Sequence, residues 1–446
     1  MTPARFAALG LAVPGLLAVL PVPSTAQALA APGRTMRASV SSGGGQAQEG
    51  GIWAALSADG RHVAFVSHGA DLVPLDTNLE RDVFVHDRLT GTTERVSVDD
   101  LGVEQDAGGF AFGRPAISAD GRYVAFDSPA FNLTDLDTHG VSQIYVRDRL
   151  AGTTRCVSLS TGGECADADA GNPLLSADGR YVAFSSSAGN LVAGDDDGVF
   201  ALDVFVHDRR SGQTEEVSWG AGGRPVLVNA ILDGLSDDGR FVSFHSFGSG
   251  FVADDFNGVA DVFLHDRQTG ATELVSRNSW GRPGNATSAG SAVSADGRYV
   301  VFSSEADNLV PGDGNGTSDV FRRDRRTGAT VRVSVAADGG EADGHSAVFA
   351  LSSDGRFAFL ESHATDLVPG DGNGERDLFR KDLRTGAIER VNVSSAGAEV
   401  GPGAGSVGSH CTPDGQAVGF LSQDGGLVPG DTNGTFDSFV RELDGR

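Results

Sequence analysis

The residues best suited to chemistry are Asp313, Asn315 and Asp319, set around Gly316 in the pattern D-x-N-G-x-x-D. Near copies are Asp76/Asn78/Asp82, Asp255/Asn257/Asp261, Asp371/Asn373/Asp377 and Asp431/Asn433/Asp437. Another copy, Asp195/Asp197/Asp203, is two residues longer, and one has His139 and Gln143 in place of Asn and the last Asp. Alternating oxygen side chains on a tight glycine turn suit a hard cation, and Ca²⁺ is the metal such loops would take. The glycine sits earlier than in an EF-hand loop, and the bidentate Glu that closes such a loop is missing. The same residues also make a good turn unaided, because Asn-Gly is a favoured turn dipeptide and Asp caps turns through its own side chain. The sequence supports both a cation loop and a well-made turn.

Other groups offer less. Cys156 and Cys165 are close enough in sequence for a disulfide closing a short loop, or for two unpaired thiols; Cys411 falls where other copies carry Leu56, Ile117 or Leu175 and is expected to be a small buried hydrophobe. Trp219 and Trp280 lie in successive loops, either stacking on a sugar ring or acting as lids on loop packing. His86, His207 and His265 share one repeat position with Arg147, Arg323, Lys381 and Arg441, which reads as a polar surface slot. G-x-S-x-G, P-loop and H-E-x-x-H motifs are absent. The one lysine, Lys381, leaves little room for Schiff-base chemistry.

These residues are positioned by a repeat. Asp-Gly-Arg begins at Asp59, Asp120, Asp178, Asp238, Asp296 and Asp354, and a seventh copy at Asp414 ends in Gln416. A period of this length, punctuated by Gly, Asn and Asp and filled with Val, Phe and Tyr, excludes helical repeats and points to stacked sheets. Each copy reads as four strands. Strand A precedes the Asp-Gly turn, and strand B follows it (RYVAF, Arg122–Phe126) and is apolar on both faces. Strand C is DVFVHD (Asp82–Asp87), and after an Arg-x-Thr-Gly turn comes the alternating strand D, ending at Val98 or Val335. Seven such sheets predict an all-β, seven-bladed β-propeller. The last copy runs out before its strand D, and Thr35–Ser41 supplies a spare one, so the ring is expected to close on the N-terminal strand.

SADGRYVAF followed by D-V-F-x-x-D-x-x-T-G resembles the WD-like propeller repeats of the TolB family. The resemblance covers roughly residues 34–446, the propeller alone without the α/β domain that precedes it in TolB. The propellers of prolyl-oligopeptidase-type peptidases are also similar. Both resemblances imply a blade architecture rather than an activity.

The domain order expected is a signal peptide over residues 1–28, with Ala26-Gln27-Ala28 as its cleavage site, a linker over 29–33, and the propeller over 34–446. No later apolar run is long enough to span a bilayer. Asp and Glu outnumber Lys and Arg by 60 to 34, and a net charge of -26 repels nucleic acid and anionic membranes. The expectation is an exported, monomeric, non-catalytic scaffold, secreted or in the periplasm and cell envelope. It would bind a protein or envelope ligand through the face of its B–C and D–A loops and the channel mouth. The alternatives are a secreted hydrolase or lyase acting on polysaccharide, and a Ca²⁺-stabilised structural module of the envelope.

Overall fold

Each repeat is one four-stranded antiparallel sheet in the computed structural model, which describes residues 33–106, 113–195, 201–336 and 339–443. The expected leader, residues 1–28, lies outside the described residues, as does Asp197. Six sheets are built from consecutive strands A to D, and the seventh takes its outer strand from the other end of the chain. Thr35–Arg37 pairs antiparallel with Asp437–Glu442, placing Thr35 opposite Arg441 and Arg37 opposite Phe439. The Ala38 N–H donates to Ser438 O at 2.7 Å and the Glu442 N–H to Arg34 O at 2.9 Å, which extends the seam on both sides. The ring is therefore closed as the sequence predicts, and the last blade has its fourth strand like the others.

Strand B is apolar on both faces because each face meets a sheet. Val63, Ala64, Phe65 and Val66 are all essentially inaccessible. A ring pair stacks across strands B and C in most blades: Phe65 on Phe84 at 5.7 Å, Phe302 on Phe321 at 5.8 Å, Phe420 on Phe439 at 5.5 Å. In the sixth blade Leu360 faces Phe379 instead. Burying each such side chain stabilises the sheet by about 1.5–3 kcal/mol.

Asp-Gly-Arg is the joint between blades. In the third copy Asp178 accepts from the Ser176 hydroxyl and the Arg180 N–H, and Arg180 grips Asp208 at the end of strand C through Nε and Nη2 at 2.9 and 2.6 Å. This fork holds the Asp208 carboxyl well below the usual carboxylate range. Gly179 has φ +68°, and a Cβ there would press into the Tyr123 ring of the preceding blade at 2.4 Å, so neither the conformation nor the space admits a side chain. Tyr123 is in turn capped by Arg122 and by Arg209 of the next blade, 4.8 and 4.2 Å from its centroid. The same turns hold hands around the axis: Ala58 N–H donates to Ala119 O, Ala119 to Ala177 O, and Ala177 to Asp237 O, at 2.8–2.9 Å.

Two expectations are corrected. Strand D ends at Arg95 or Arg332 rather than at Val98 or Val335. The cause is Ser97, whose hydroxyl takes the Val83 N–H at 3.0 Å and donates to Asp82, so strand C is satisfied by a side chain where the ladder would continue. Ser334 repeats this on Val320 and Asp319, and Asn392 on Leu378 and Asp377. The chain then folds into a small hairpin bridged at Val98–Glu104 or Val335–Glu341. Second, the histidine slot is buried between blades. His86 and His207 are 7% and 4% exposed, and each ring Nδ1 lies 2.9 Å from a strand-D hydroxyl, Thr93 or Thr214. Those threonines donate to the hairpin of the preceding blade, at Val40 O and Leu159 O, so the slot staples neighbouring blades.

Burial pushes the His207 pKa down to about 4. The unfolded chain therefore binds a proton at a higher pH than the folded one, and stability from the neutral ring is full above about pH 6.5 and is lost as the pH falls towards 4. His207→Gln is expected to flatten this part of the acid-unfolding profile by about 2–3 kcal/mol, read by urea melts at pH 7 and pH 4.5. An unchanged pH slope would contradict the assignment.

Candidate functional site

The D-x-N-G-x-x-D loops are held first by their asparagine. Asn78 accepts from the Glu80 N–H and donates from Nδ2 to Asp82 at 3.0 Å and to Gln105 O of the next loop at 3.2 Å. Asn315 and Asn433 make the same three contacts. The sixth blade repeats them at Asn373. There Oδ1 accepts from the Glu375 N–H at 2.8 Å, and Nδ2 donates to the two Asp377 oxygens at 3.3 and 3.2 Å and to Val400 O at 3.3 Å. The amide of Asn373 thus turns its N–H groups, which repel a cation, towards the aspartate, and its oxygen is committed to the turn. The asparagine is a turn-former and a latch.

Between the two aspartates stands an arginine from strand D. Arg95 Nη1 lies 3.1 Å from Asp76, 3.2 Å from Asp82 and 2.8 Å from Glu104. Arg332 spans Asp313, Asp319 and Glu341 at 3.2, 3.6 and 2.6 Å. Arg390 lies 3.3 Å from both Asp371 and Asp377 and also contacts Glu399. In the last blade the closing strand itself supplies Arg37, 3.3 and 3.4 Å from Asp431 and Asp437. Asp371, Asp377 and Glu399 bring carboxylate oxygens within 4.8 Å of one another, a set able to hold a metal ion, but Arg390 occupies their midst. Glu399 comes from the following hairpin, outside the loop motif. Burial raises Asp76 and Asp371 to about 6 even beside their arginines.

The other blades fill this slot differently. In the second blade Gln143 replaces the strand-C aspartate, and Cys156 and Cys165 stand where the first blade has Arg95 and Glu104. Their sulfurs are 3.8 Å apart, buried and unbonded, with that of Cys156 3.9 Å from Gln143 Oε1. Arginine, carboxylate and aspartate have thus been exchanged together for neutral groups. The third blade places Glu216 there, beside Asp203. The fourth places Leu274 there while keeping Asp255 and Asp261.

The second candidate is the axial channel, a cavity of about 450 Å³ walled by strand A of every blade. Strand A is bulged near its start, where Trp53 and Asn172 adopt φ +57° and +58°. At the bulges, residues that differ from copy to copy face one another: Trp53, Arg114, Asn172, Asp233, Ser291, Phe349 and His410. The Arg114 guanidinium lies 4.5 Å above the Trp53 ring. Asp233, its carboxyl raised by burial, sits between His245 Nδ1 at 2.9 Å and the Ser291 hydroxyl at 3.1 Å. Burial likewise raises Glu361, which pairs with Arg376 at 3.1 Å, and pulls His410 down to about 4. None of these residues belongs to a sequence motif. The readable signal was disagreement between copies one to three residues before the end of strand A.

The D–A loops vary less than their sequences suggest, since six of the seven start with a hairpin bridged across the same six-residue interval, as where Thr154 of the next blade donates to Val98 O at 2.5 Å, and the third has a shorter one bridged at Gly220–Arg224. Trp280 projects from its loop, 73% exposed, beside Asn278 and Arg282, whereas Trp219 is half-buried at a different loop position, so the two rings are not presented as a matched pair.

Ring, blades and channel together define an all-β, seven-bladed propeller of TolB-like architecture. Among solved structures the chain is similar to an oligogalacturonate lyase in complex with manganese, at 14% identity over 92% of this chain and 96% of that one, with a TM-score of 0.50. It is also similar to the putative TolB from Agrobacterium tumefaciens (16%, 62% and 78%, TM-score 0.37). A third is a prolyl endopeptidase, of which it spans less than half (15%, 84% and 46%, TM-score 0.47). At these identities the likeness is one of fold. The sequence matches no known family description and no curated protein.

Proposed function

We propose that this chain is an exported, non-catalytic scaffold that docks a protein or cell-envelope partner on the face formed by its B–C and D–A loops. The observation that carries this reading is the distribution of exposed apolar side chains. Leu75, Leu79, Leu101, Phe131, Leu136, Leu227, Phe247, Phe256 and Trp280 all stand on that face, whereas the opposite face has Leu89 and Leu150, among the described residues. Most of the nine are more than half exposed, on an otherwise strongly acidic protein. Large apolar groups gathered on one side mark an interaction surface. The partner that fits is one with apolar anchors and a basic rim.

The test compares wild type with Leu79→Ser/Phe131→Ser/Phe256→Ser/Trp280→Ser as bait for an envelope extract. Exposed substitutions away from packed groups change stability by about 0.5 kcal/mol or less each, so the variant is expected to melt within a few degrees of wild type and to lose the captured partner. Capture of the same partner by both proteins would overturn the reading.

A second reading, a hydrolase or lyase acting on polysaccharide in the channel, is favoured by the Asp233–His245 pair and Glu361, which are buried titratable groups at a 450 Å³ cavity. The lyase among the structural neighbours belongs to this class. Turnover on a glycan panel that disappears in Asp233→Asn would favour it over docking.

A further inference from the structure

The seven copies serve as internal controls for the slot between the paired aspartates. In four blades a guanidinium from strand D fills it: Arg95, Arg332, Arg390 and Arg37. In the second blade one aspartate is replaced by Gln143, so a single unit of charge need not be answered there. The third blade, whose loop is two residues longer, sets Glu216 in the slot, tied to Asp203 through the Ser218 hydroxyl. The fourth blade breaks the pattern while keeping both aspartates at the standard spacing. Leu274 stands in the arginine position and Pro283 in that of the accompanying glutamate, yet Asp255 and Asp261 are both kept, 5% and 0% exposed.

The hydrogen bonds around these two carboxylates are few. Asp261 accepts from the Ser276 hydroxyl and, at 2.6 Å, from Asn257 Nδ2, which also donates to Gly284 O at 2.8 Å. Asp255 Oδ1 is buried with no hydrogen-bond partner. Asp255 also accepts from the Asn257 N–H, and Arg277, which acts on both carboxyls only through space, has its Nη2 engaged by Asp254 at 2.9 Å. Two carboxylates therefore face the slot with no guanidinium between them, and one oxygen has nothing to bind. Leaving a buried charge unanswered costs several kcal/mol, which a cation or a shared proton removes.

We propose that the fourth blade binds one hard divalent cation of the Ca²⁺ class between Asp255 and Asp261, in the place that arginine holds in four sister blades. The donor chemistry selects the ion. The slot offers carboxylate oxygens, to which water completes the shell, with no histidine or thiol, and this suits Ca²⁺ over Zn²⁺ or Cu²⁺. Two carboxylates in a preformed turn give an affinity on the order of 10⁻⁴–10⁻³ M, typical of extracellular calcium modules.

The experiment titrates CaCl₂ into the EDTA-stripped full chain by calorimetry and follows the melting temperature at 0 and about 10 mM Ca²⁺. Wild type is expected to take up one Ca²⁺ per chain and to melt a few degrees higher with it. Asp255→Asn is expected to abolish the heat. Leu274→Arg, which installs the sister blades' guanidinium, is expected to abolish the heat and to raise the melting temperature in EDTA, which also demonstrates that the variant folds. Asp371→Asn, in an arginine-filled blade, is expected to leave the Ca²⁺ stoichiometry unchanged. Absence of heat in wild type would overturn the proposal and leave a shared proton in the slot. An unchanged stoichiometry in both Asp255→Asn and Leu274→Arg would overturn it equally, by placing the ion elsewhere.

Discussion

Deleting residues 34–41 will lower the melting temperature by roughly 10 °C or more, or cause the protein to aggregate. The segment does more than cover an edge. Thr35 is 4% exposed, and Arg441 donates to Thr35 Oγ1 at 2.8 Å, so removing the segment strips a buried guanidinium of its hydroxyl partner and leaves it the carbonyls of Val393 and Ser394. Loss of Arg37 leaves Asp431 and Asp437 facing each other without their cation. Loss of Ser39 withdraws the hydroxyl that serves both Asp437 and the Ser438 N–H. One uncompensated buried charge costs about 3–5 kcal/mol and each orphaned buried donor about 1–3 kcal/mol. A loss above about 5 kcal/mol follows, and each kcal/mol moves the midpoint by roughly 2 °C in a protein of this size. The freed strand Asp437–Glu442 would present an unpaired edge, which is a template for association. A deletion variant that melts within about 2 °C of wild type would remove closure as a source of stability.

Arg390→Leu is expected to cost about 3–5 kcal/mol in urea denaturation at pH 7.5. It leaves Asp371, Asp377 and Glu399 crowded together in a slot where the arginine is 8% exposed and the two aspartates less. The sign of the pH dependence follows from Asp371, whose folded-state pKa is already raised to about 6 and rises further without the guanidinium. The folded variant then binds protons more readily than the unfolded chain, so its deficit shrinks as the pH falls below about 6 and grows above it. Asp371→Asn in the same background should recover part of the loss. Ca²⁺ should also recover part, since the variant recreates the fourth blade's arrangement of two aspartates and a leucine. A deficit under about 1 kcal/mol that is flat between pH 5 and 8 would mean that the clamp is an ornament of the turn.

The architecture could be read from the chain because the signals that build a blade are short and repeated. Asp-Gly-Arg marks the seam, since Gly179 admits no side chain against Tyr123 and Arg180 must reach Asp208. The missing last strand was equally legible by comparing where the first and last copies begin and end. The site was harder, for specific reasons. The residue that decides what sits between Asp76 and Asp82 is Arg95, 13 residues after Asp82 and on another strand, and in the last blade it is Arg37, at the far end of the chain. A motif confined to one loop cannot contain it. Nor does the motif show which end of an amide faces the slot, and at Asn373 it is the donor end. The channel wall was hidden by the bulges at Trp53 and Asn172, which break the two-residue alternation by which strands are read. The slot of His86 and His207 looked like surface because arginine and lysine share it, but those long side chains reach hairpin carbonyls across the blade seam, as Arg147 does to Asp99 O at 2.9 Å.

The shared residues of the seven copies thus build and lock the ring, and what distinguishes the protein is carried on one face and in the channel it opens onto. Hydrogen–deuterium exchange on the captured complex tests this most directly, and suits a chain whose single lysine makes amine cross-linking uninformative. Protection on partner binding is predicted at residues 72–80, 131–140, 247–258 and 278–283. Protection confined to the Arg-x-Thr-Gly turns or the outer strands, with those loops exchanging as in the free protein, would contradict it.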